Sequence, residues 1–218
     1  MAHCMETHDE GGLRVTRFGP LGAFANNAYI AGDLASREAV LIDMPAGSAE
    51  VVTSIQQDKW LIKAILLTHS HPDHWADYDL VRSSIAAPVM ANAGEQIIPG
   101  EKVDLPLDDE QVIDVGPYRM KALHTPGHTP GSTCLLLSRF LFSGDVLFPG
   151  GPGRTQSPAD LKQSIASITS KLLPLPEETM VLPGHGDGTT IGAAKAEYAA
   201  FASRKHPADL CGDVTWAG

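Results

Sequence analysis

Short apolar runs alternate along the chain with polar connections that contain glycine and proline. Residues 13–18 alternate between apolar and polar positions, which is typical of a strand with one buried face. Residues 63–68 form a continuous apolar run, which is typical of a strand buried on both faces. Residues 19–26 and 148–155 carry glycine and proline, and we expect both to be loops.

Several segments carry the signals that start a helix. Ser48 and Ser157 are expected N-caps, and the second is followed at once by a proline that suits the first helical position. Strands and helices alternate loosely, with hairpin-like pairs, which favours a mixed sheet system covered by helices. Helices are expected at about residues 49–58, 74–85, 158–172 and 191–203.

The composition indicates a folded domain. The chain has 218 residues, of which 43% are hydrophobic and 19% charged, which excludes a disordered chain. No apolar run approaches the roughly 18 residues of a membrane span, and no secretory signal is visible near the start. We expect residues 13–218 to form a single domain and the polar residues 1–12 to form a mobile tail.

Charge and cysteine content narrow the partners and the compartment. Acidic residues outnumber basic ones by 26 to 16, a net charge of -10, and no lysine or arginine run is present, which argues against nucleic acid as a partner. Cys4, Cys134 and Cys211 are far apart and form no C-x-x-C pair, so neither a disulfide framework nor a cysteine-rich zinc site is indicated. A cytoplasmic protein that acts on a small molecule is expected.

Histidine or aspartate follows four of the expected strands. In layered α/β folds, functional side chains collect at strand ends, so these positions are expected to converge if the ends share one edge. Seven potential metal ligands would then meet there. The four positions are His69, His128, Asp145 and His185.

The segment 68–74, THSHPDH, is the densest of these clusters. In an extended chain, residues two apart point the same way, so His69 and His71 can bind one metal from one side. The following proline turns the chain, and Asp73 and His74 fall at a helix start several ångströms away, which suits a second metal. Each of these short motifs alone also fits a turn or a helix cap. Their occurrence together, one after each of four strands, is hard to explain by chance.

These motifs resemble those of the metallo-β-lactamase superfamily, and within it the glyoxalase II-like hydrolases. The resemblance covers about residues 13–200 and implies an α+β fold of four layers, an αβ/βα sandwich with two mixed sheets face to face and helices outside. It rests on THSHPDH (68–74), HTPGHTPGS (124–132), FSGDVLF (142–148) and VLPGHG (181–186), supported by LIDMPAG (41–47) and Asn27-Ala28-Tyr29.

The resemblance also implies a role for eight residues. Asp43 would orient the ligands of segment 68–74 through hydrogen bonds, although a plain turn role at a strand end suits it as well. The first metal would be bound by His69, His71 and His128, the second by Asp73, His74 and His185, and both by Asp145.

Imidazole and carboxylate ligands without thiolate suit zinc, iron or manganese, and two divalent metals per chain, zinc first, are expected. A bound metal lowers the pKa of water from about 15.7 to about 7. A hydroxide shared by the two metals would attack the carbonyl of a small ester, thioester or lactone. Asp73 is also a catalytic candidate, because its carboxylate could steer the proton of the nucleophile.

Other functions stay open. A persulfide dioxygenase of the same superfamily would bind one iron through His69, His128 and Asp145. A β-lactamase, a phosphoesterase, a nuclease and a non-enzymatic binding module are further alternatives. Only about 30 residues follow His185, which leaves little room for the helical segment that larger glyoxalase II enzymes use to bind a glutathione thioester.

Three residues are candidates for substrate contact. Phe24, in the expected loop 19–26, would serve as a mobile lid. Trp75 follows His74 and either packs in the core or lines the pocket. Arg154 either contacts an anionic substrate or fixes its own loop.

Overall fold

The computed structural model describes residues 4–95 and 97–216, and this part of the chain builds two large β-sheets, each from one continuous half of the sequence. Sheet 1 comes from the first half, and its strands lie side by side in chain order. Its first four strands are antiparallel and its last four are parallel, with β4 common to both sets. The strands are β1 (Cys4–Glu10), β2 (Leu13–Leu21), β3 (Asn26–Asp33), β4 (Glu38–Ile42), β5 (Leu61–Leu66), β6 (Val89–Ala91) and β7 (Leu105–Pro106).

Sheet 2 comes from the second half and has the strand order β15-β14-β11-β10-β9-β8. The pair β11 and β14 is parallel, and the other neighbours are antiparallel. A small separate ribbon pairs β12 (Leu147–Phe148) with β13 (Gly151–Pro152). The strands of sheet 2 are β8 (Val112–Val115), β9 (Tyr118–His124), β10 (Thr133–Leu137), β11 (Phe140–Gly144), β14 (Met180–Pro183) and β15 (Thr189–Thr190).

Helices cover the outer faces of both sheets. Helices α1 and α2 pack on sheet 1, and α3 and α4 pack on sheet 2. The helices are α1 (Ala49–Asp58), α2 (Tyr78–Ser84), α3 (Pro158–Ser167) and α4 (Ile191–Ala202); 3-10 turns lie at Pro72–His74 and Gly100–Lys102, and a π-helical turn at Ile168–Leu172 extends α3.

The four layers follow from alternation along buried strands. In β4, Ala39 and Leu41 face the core under α1 and α2, whereas Val40 and Ile42 face the core between the two sheets. Successive side chains of a strand point to opposite faces, so an uninterrupted apolar strand supplies both cores at once. The expected αβ/βα sandwich of two mixed sheets with helices outside is confirmed.

The expectation that residues 1–12 form a mobile tail is wrong for the described part. Cys4–Glu10 forms β1, which pairs in antiparallel register with β2 along its whole length. The side chains of β1 are largely exposed because it is the edge strand, so its polar composition resembles that of a tail. Backbone hydrogen bonds, which leave no trace in the composition, order the segment. Residues 1–3 lie outside the described residues.

Two other boundaries differ from the expectation. The loop expected at 19–26 is reduced to residues 22–25, because β2 continues to Leu21 and β3 begins at Asn26. The helix expected from residue 74 begins at Tyr78, because residues 72–74 form a 3-10 turn that ends at Trp75, whose φ of -137° is not helical.

Within residues 4–95 and 97–216, no helix combines the length and the apolar character needed to cross a membrane.

Candidate metal centre

The ends of three strands and one loop bring seven side chains together. The 68–74 segment follows β5, Asp145 follows β11, His185 follows β14, and His128 lies in the loop between β9 and β10. Their potential ligand atoms form two groups, and within each group these atoms lie within 4.8 Å of one another. The first group contains His69, His71, His128 and Asp145, and the second contains Asp73, His74 and His185.

Two glycines allow the sheets to meet at this point. A Cβ on Gly144, at the end of β11, would lie 2.7 Å from Cβ and Oγ1 of Thr68, just beyond β5. A Cβ on Gly184, just before His185, would lie 2.5 Å from Asp145 Oδ1 and 2.5 Å from His74 Cε1. The close approach of the ligands therefore depends on glycine, which has no Cβ atom, at both positions.

Hydrogen bonds fix the orientation of the imidazoles. His128 Nδ1 lies 2.7 Å from the carbonyl oxygen of Arg154, and His185 Nδ1 lies 2.9 Å from that of Phe24. A carbonyl only accepts, so both Nδ1 atoms carry the proton and donate. In both rings the Nε2 atom is then left with a lone pair, which is the state that binds a metal.

Asp43 sets the orientation of two more rings, as the expected positioning role requires. Its Oδ2 atom accepts from His74 Nδ1 at 2.8 Å and from Thr68 Oγ1 at 2.8 Å. Because the Thr68 hydroxyl donates to Asp43, its oxygen accepts from His69 Nδ1 at 3.1 Å. The Nε2 atoms of His69 and His74 are therefore also left with lone pairs.

These lone pairs face one another at short range. His74 Nε2 and His185 Nε2 are 3.0 Å apart, and His71 Nδ1 lies 3.0 Å from His69 Nε2 and 2.9 Å from His128 Nε2. Two nitrogen atoms this close repel unless a proton or a metal ion lies between them. Two nitrogen atoms that bind the same zinc ion, each at about 2.0–2.1 Å, lie about 3 Å apart. The observed spacing therefore fits a shared ion.

Asp145 lies between the two groups. Its Oδ2 atom is 3.4 Å from His185 Nε2 and 3.7 Å from His128 Nε2, while Oδ1 is 3.4 Å from His74 Nε2. Oδ1 is buried and has no hydrogen-bond partner. An unpartnered buried carboxylate oxygen is costly, which is a second indication that the residues fit a cation.

Burial and neighbouring charges shift the pKa values of the ligands. Burial lowers the pKa of His128, and burial together with the neighbouring His74 lowers that of His69 well below the usual range. Burial alone would raise the pKa of Asp145, but the surrounding imidazoles, His74 first, lower it well below the usual range. Burial would also lower the pKa of His74 and His185, but Asp43 and Asp145 raise it at His74 and Asp145 raises it at His185. The site therefore favours neutral imidazole at His69 and His128 and ionised carboxylate at Asp145, whereas a metal at His74 and His185 competes with a proton.

Three residues at the start of β3 also contact the site, and the sequence reasoning gave them no role. Asn26 Nδ2 donates to Asp73 Oδ2 at 2.7 Å. Asn27 Nδ2 donates to the carbonyl oxygens of Pro183 and Gly186, both at 2.9 Å, and Tyr29 OH donates to the same Pro183 oxygen at 2.6 Å. More than 40 residues separate each donor from its partner, so no local pattern could reveal these bonds.

A cavity of about 420 Å³ opens onto the centre. Three candidate ligands line it, together with the loop that follows β12 and a short C-terminal segment, residues 213–215. The lining includes Arg154, for which the sequence left two roles open, substrate contact and fixing its own loop. The candidate ligands in the wall are His128, Asp145 and His185.

The other two candidate substrate contacts lie outside the lining of this cavity. Phe24 contributes its backbone carbonyl to His185, and its side chain is 70% exposed. Trp75 Nε1 donates to the carbonyl oxygen of Ser70 at 3.0 Å, and the ring packs against the core under α1 and α2. The contacts of Trp75 favour a structural role over pocket lining.

The sequence is similar to known metallo-hydrolases. The family model described as the metallo-beta-lactamase superfamily matches residues 21–185. A probable metallo-hydrolase of Bacillus subtilis, YqgX, is 34% identical over 79% of this chain and 90% of its own length. The hydroxyacylglutathione hydrolase GloC of Haemophilus influenzae is 31% identical over 81% of this chain and 92% of its own length.

Solved structures show the same architecture. The B3 metallo-beta-lactamase BLEG-1 is 33% identical, with a TM-score of 0.71 over 84% of this chain and 96% of its own. TTHA1623 in a di-iron-bound form is 33% identical, with a TM-score of 0.68 over 80% of this chain and 94% of its own. ETHE1 from Myxococcus xanthus is 26% identical, with a TM-score of 0.72 over 94% of this chain and 86% of its own.

Proposed function

The chain belongs to the metallo-β-lactamase superfamily, and we propose that it is a hydrolase that uses two divalent metals to cleave an ester, thioester or lactone bond of a small molecule. The observation that carries this proposal is the presence of two adjacent ligand groups with Asp145 between them. The net charge of -10 supports a small-molecule substrate over a nucleic acid.

The relatives indicate which substrates and metals to test first. The Haemophilus influenzae relative is named as a hydroxyacylglutathione hydrolase, so hydroxyacyl thioesters are the first class of substrate. The ligand set of imidazoles and carboxylates suits zinc, which we propose first. The di-iron-bound form of TTHA1623 makes iron the next metal to test.

The protein residues have distinct tasks in the hydrolysis. Bound divalent metals would lower the pKa of a bound water molecule and polarise the carbonyl group of the substrate. Four imidazoles present Nε2 to the centre and His71 presents Nδ1, and Asp145 joins the two groups. Asp73, whose Oδ2 accepts from Asn26, lies at the edge of the second group and orients the attacking water by accepting its hydrogen bond. Water adds to the carbonyl carbon, the C–O or C–S bond breaks, and the leaving group departs with a proton.

The test combines metal content with turnover. We expect two metals per chain and hydrolysis of a hydroxyacyl thioester, and His69→Ala should remove most of both. His206→Ala is the matched control, because His206 donates to the carbonyl of Phe201 away from the centre and stacks on that ring. A purified protein with two metals that hydrolyses no thioester, ester or lactone would refute the proposal.

A single-iron dioxygenase that oxidises a persulfide is the second candidate. Such a site needs two histidines and one carboxylate, and His69, His128 and Asp145 of the first group supply them. One iron per chain together with oxygen consumption on a persulfide would favour this function over hydrolysis. Hydrolysis of a cephalosporin or a phosphodiester in the same panel would instead favour a β-lactamase or a phosphoesterase.

A further inference from the structure

The wall of the cavity carries one guanidinium. Among the described residues that line it, Arg154 is the one lysine or arginine, and Asp213 contributes a carboxylate beside it. The chain as a whole has a net charge of -10. An anionic substrate therefore approaches an acidic protein, and Arg154 is the side chain in this wall that can attract it.

The backbone of Arg154 is fixed against the centre. Its carbonyl oxygen accepts from His128 Nδ1 at 2.7 Å. The next residue, Thr155, pairs with Gly212 through two backbone hydrogen bonds of 3.1 and 3.0 Å. The backbone of Arg154 is thus one hydrogen bond away from the imidazole ring of His128, a candidate metal ligand.

The side chain of Arg154, in contrast, is held weakly. It is 65% exposed and lies 4.0 Å from the carboxylate of Asp213, which is 82% exposed. An exposed ion pair at this distance contributes little, so another carboxylate can replace Asp213 at low cost. The planar fork of an arginine matches the two oxygens of a carboxylate.

The segment that carries Asp213 is also held in place. Residues 213–215 precede Trp216, which is fully buried and whose backbone N–H donates to the carbonyl of Gly150 at 2.7 Å. The Trp216 ring packs against Tyr198 with centroids 5.1 Å apart. The backbone next to Asp213 is therefore fixed close to Arg154.

We propose that Arg154 binds a carboxylate at the far end of the substrate, so that the cavity selects small acyl compounds with an anionic end a few bonds from the scissile carbonyl. This inference rests on the proposed hydrolysis for its biological meaning. The role of the guanidinium in binding is tested separately from turnover.

The binding test compares glutarate, which has two carboxylates, with monomethyl glutarate, which has one. With the metal-loaded protein, isothermal titration should show that glutarate binds about tenfold more tightly. Arg154→Met should abolish this difference, Arg154→Lys should keep part of it, and Asp213→Asn should increase it because a competing carboxylate is removed.

The matched control is Arg119→Met. Arg119 is also exposed and also lies at 3.9 Å from one aspartate, Asp114, but belongs to β9 away from the cavity. The control should keep the wild-type preference, which separates a local contact from a general effect of charge. Equal binding of the two ligands to the wild-type protein, or an unchanged preference in Arg154→Met, would overturn the inference.

A kinetic test links the inference to function. The ratio of kcat/KM for the 4-nitrophenyl monoester of glutarate to that for its methyl ester should fall about tenfold in Arg154→Met. If neither ester nor any thioester is hydrolysed while the binding preference depends on Arg154, the proposed hydrolysis fails and the binding site stands. If both esters are hydrolysed with a ratio that Arg154→Met does not change, the inference fails and the hydrolysis stands.

Discussion

At the scale of single residues, Asp43 governs the centre without belonging to either ligand group. Its two oxygens accept from the Thr68 backbone and hydroxyl and from His74 Nδ1, and it is 2% exposed. It also has a φ of 58°, which turns the chain at the end of β4. One buried carboxylate thereby fixes the proton positions of His69 and His74.

We expect Asp43→Ala to lower metal affinity by about 10- to 100-fold, because both imidazoles lose the partner that orients them. Metal titration of the purified variant measures this loss. Asp33→Asn is the control, since Asp33 is equally buried but accepts from the Ser36 backbone in a turn of sheet 1. Wild-type affinity in Asp43→Ala would show that the ligands are oriented by other contacts.

Gly184→Ala should prevent metal binding while leaving the two sheets folded. The added Cβ would overlap with Asp145 Oδ1 and His74 Cε1, both 2.5 Å away, and would push apart ligands of both groups. Metal analysis and circular dichroism measure the two effects. Gly100→Ala, where a Cβ meets nothing within 4 Å, should change neither.

The types of residue at the centre could be predicted from the sequence, because each ligand sits in a short local motif after a strand. The donors Asn26 and Asn27 could not, since their partners lie far along the chain. Trp75 shows the opposite limit. The sequence left a core role and a pocket role open for it, and only the structure shows that the indole donates to the Ser70 carbonyl and packs against the core.

At the scale of elements, β3 connects sheet 1 to the loop that carries His185. The backbone N–H of Asn27 donates to the Gly184 carbonyl at 2.7 Å, and its side chain reaches two further carbonyls in the same loop. Arg17 from β2 donates to Asn27 Oδ1 at 3.0 Å and holds the amide in this orientation. The loop is therefore positioned by a strand of the other sheet.

Asn27→Ala should weaken the metal held by the second group more than the metal held by the first, by about tenfold, because His185 belongs to the second group. A stepwise metal titration separates the two affinities. Asn27→Asp should behave alike, since it keeps the size and the acceptor for Arg17 but loses the donors. Equal weakening of both steps would mean that Asn27 acts on the fold as a whole.

The positions of the elements were predicted better than the hydrogen bonds at their ends. Helix α1 has the expected bounds, and the strand expected from the apolar run 63–68 is present as β5, two residues earlier. Ser48 does not cap α1 with its side chain, however, because its hydroxyl donates to the Pro45 carbonyl at 2.6 Å. Ser157 does cap α3, accepting from the Asp160 N–H at 3.2 Å, as its sequence predicts.

At the scale of the whole molecule, the metal centre joins the two sheets. Four of the seven candidate ligands follow β5 of sheet 1, and three belong to loops of sheet 2. A metal bound by both sets stabilises the folded state, because the unfolded chain does not hold these groups together.

Removal of metal by a chelator should therefore lower the melting temperature. At a free metal concentration 100 times its Kd, each site stabilises the fold by about 2.7 kcal/mol. For a chain of this size that corresponds to about 5–10 °C per site. Calorimetry with and without chelator measures the change, and re-addition of zinc should reverse it. A His69→Ala and His185→Ala double variant should melt at the same temperature in both conditions.

The division of the chain into two continuous halves, residues 4–106 and 112–190 for the two sheets, gives each ligand group members from both sides of the cut. Fragments separated between β7 and β8 would each carry an incomplete set of chelating atoms. Ion capture by a mixture of the two pieces would then act as a direct reporter of their reassembly, with neither piece giving a signal by itself.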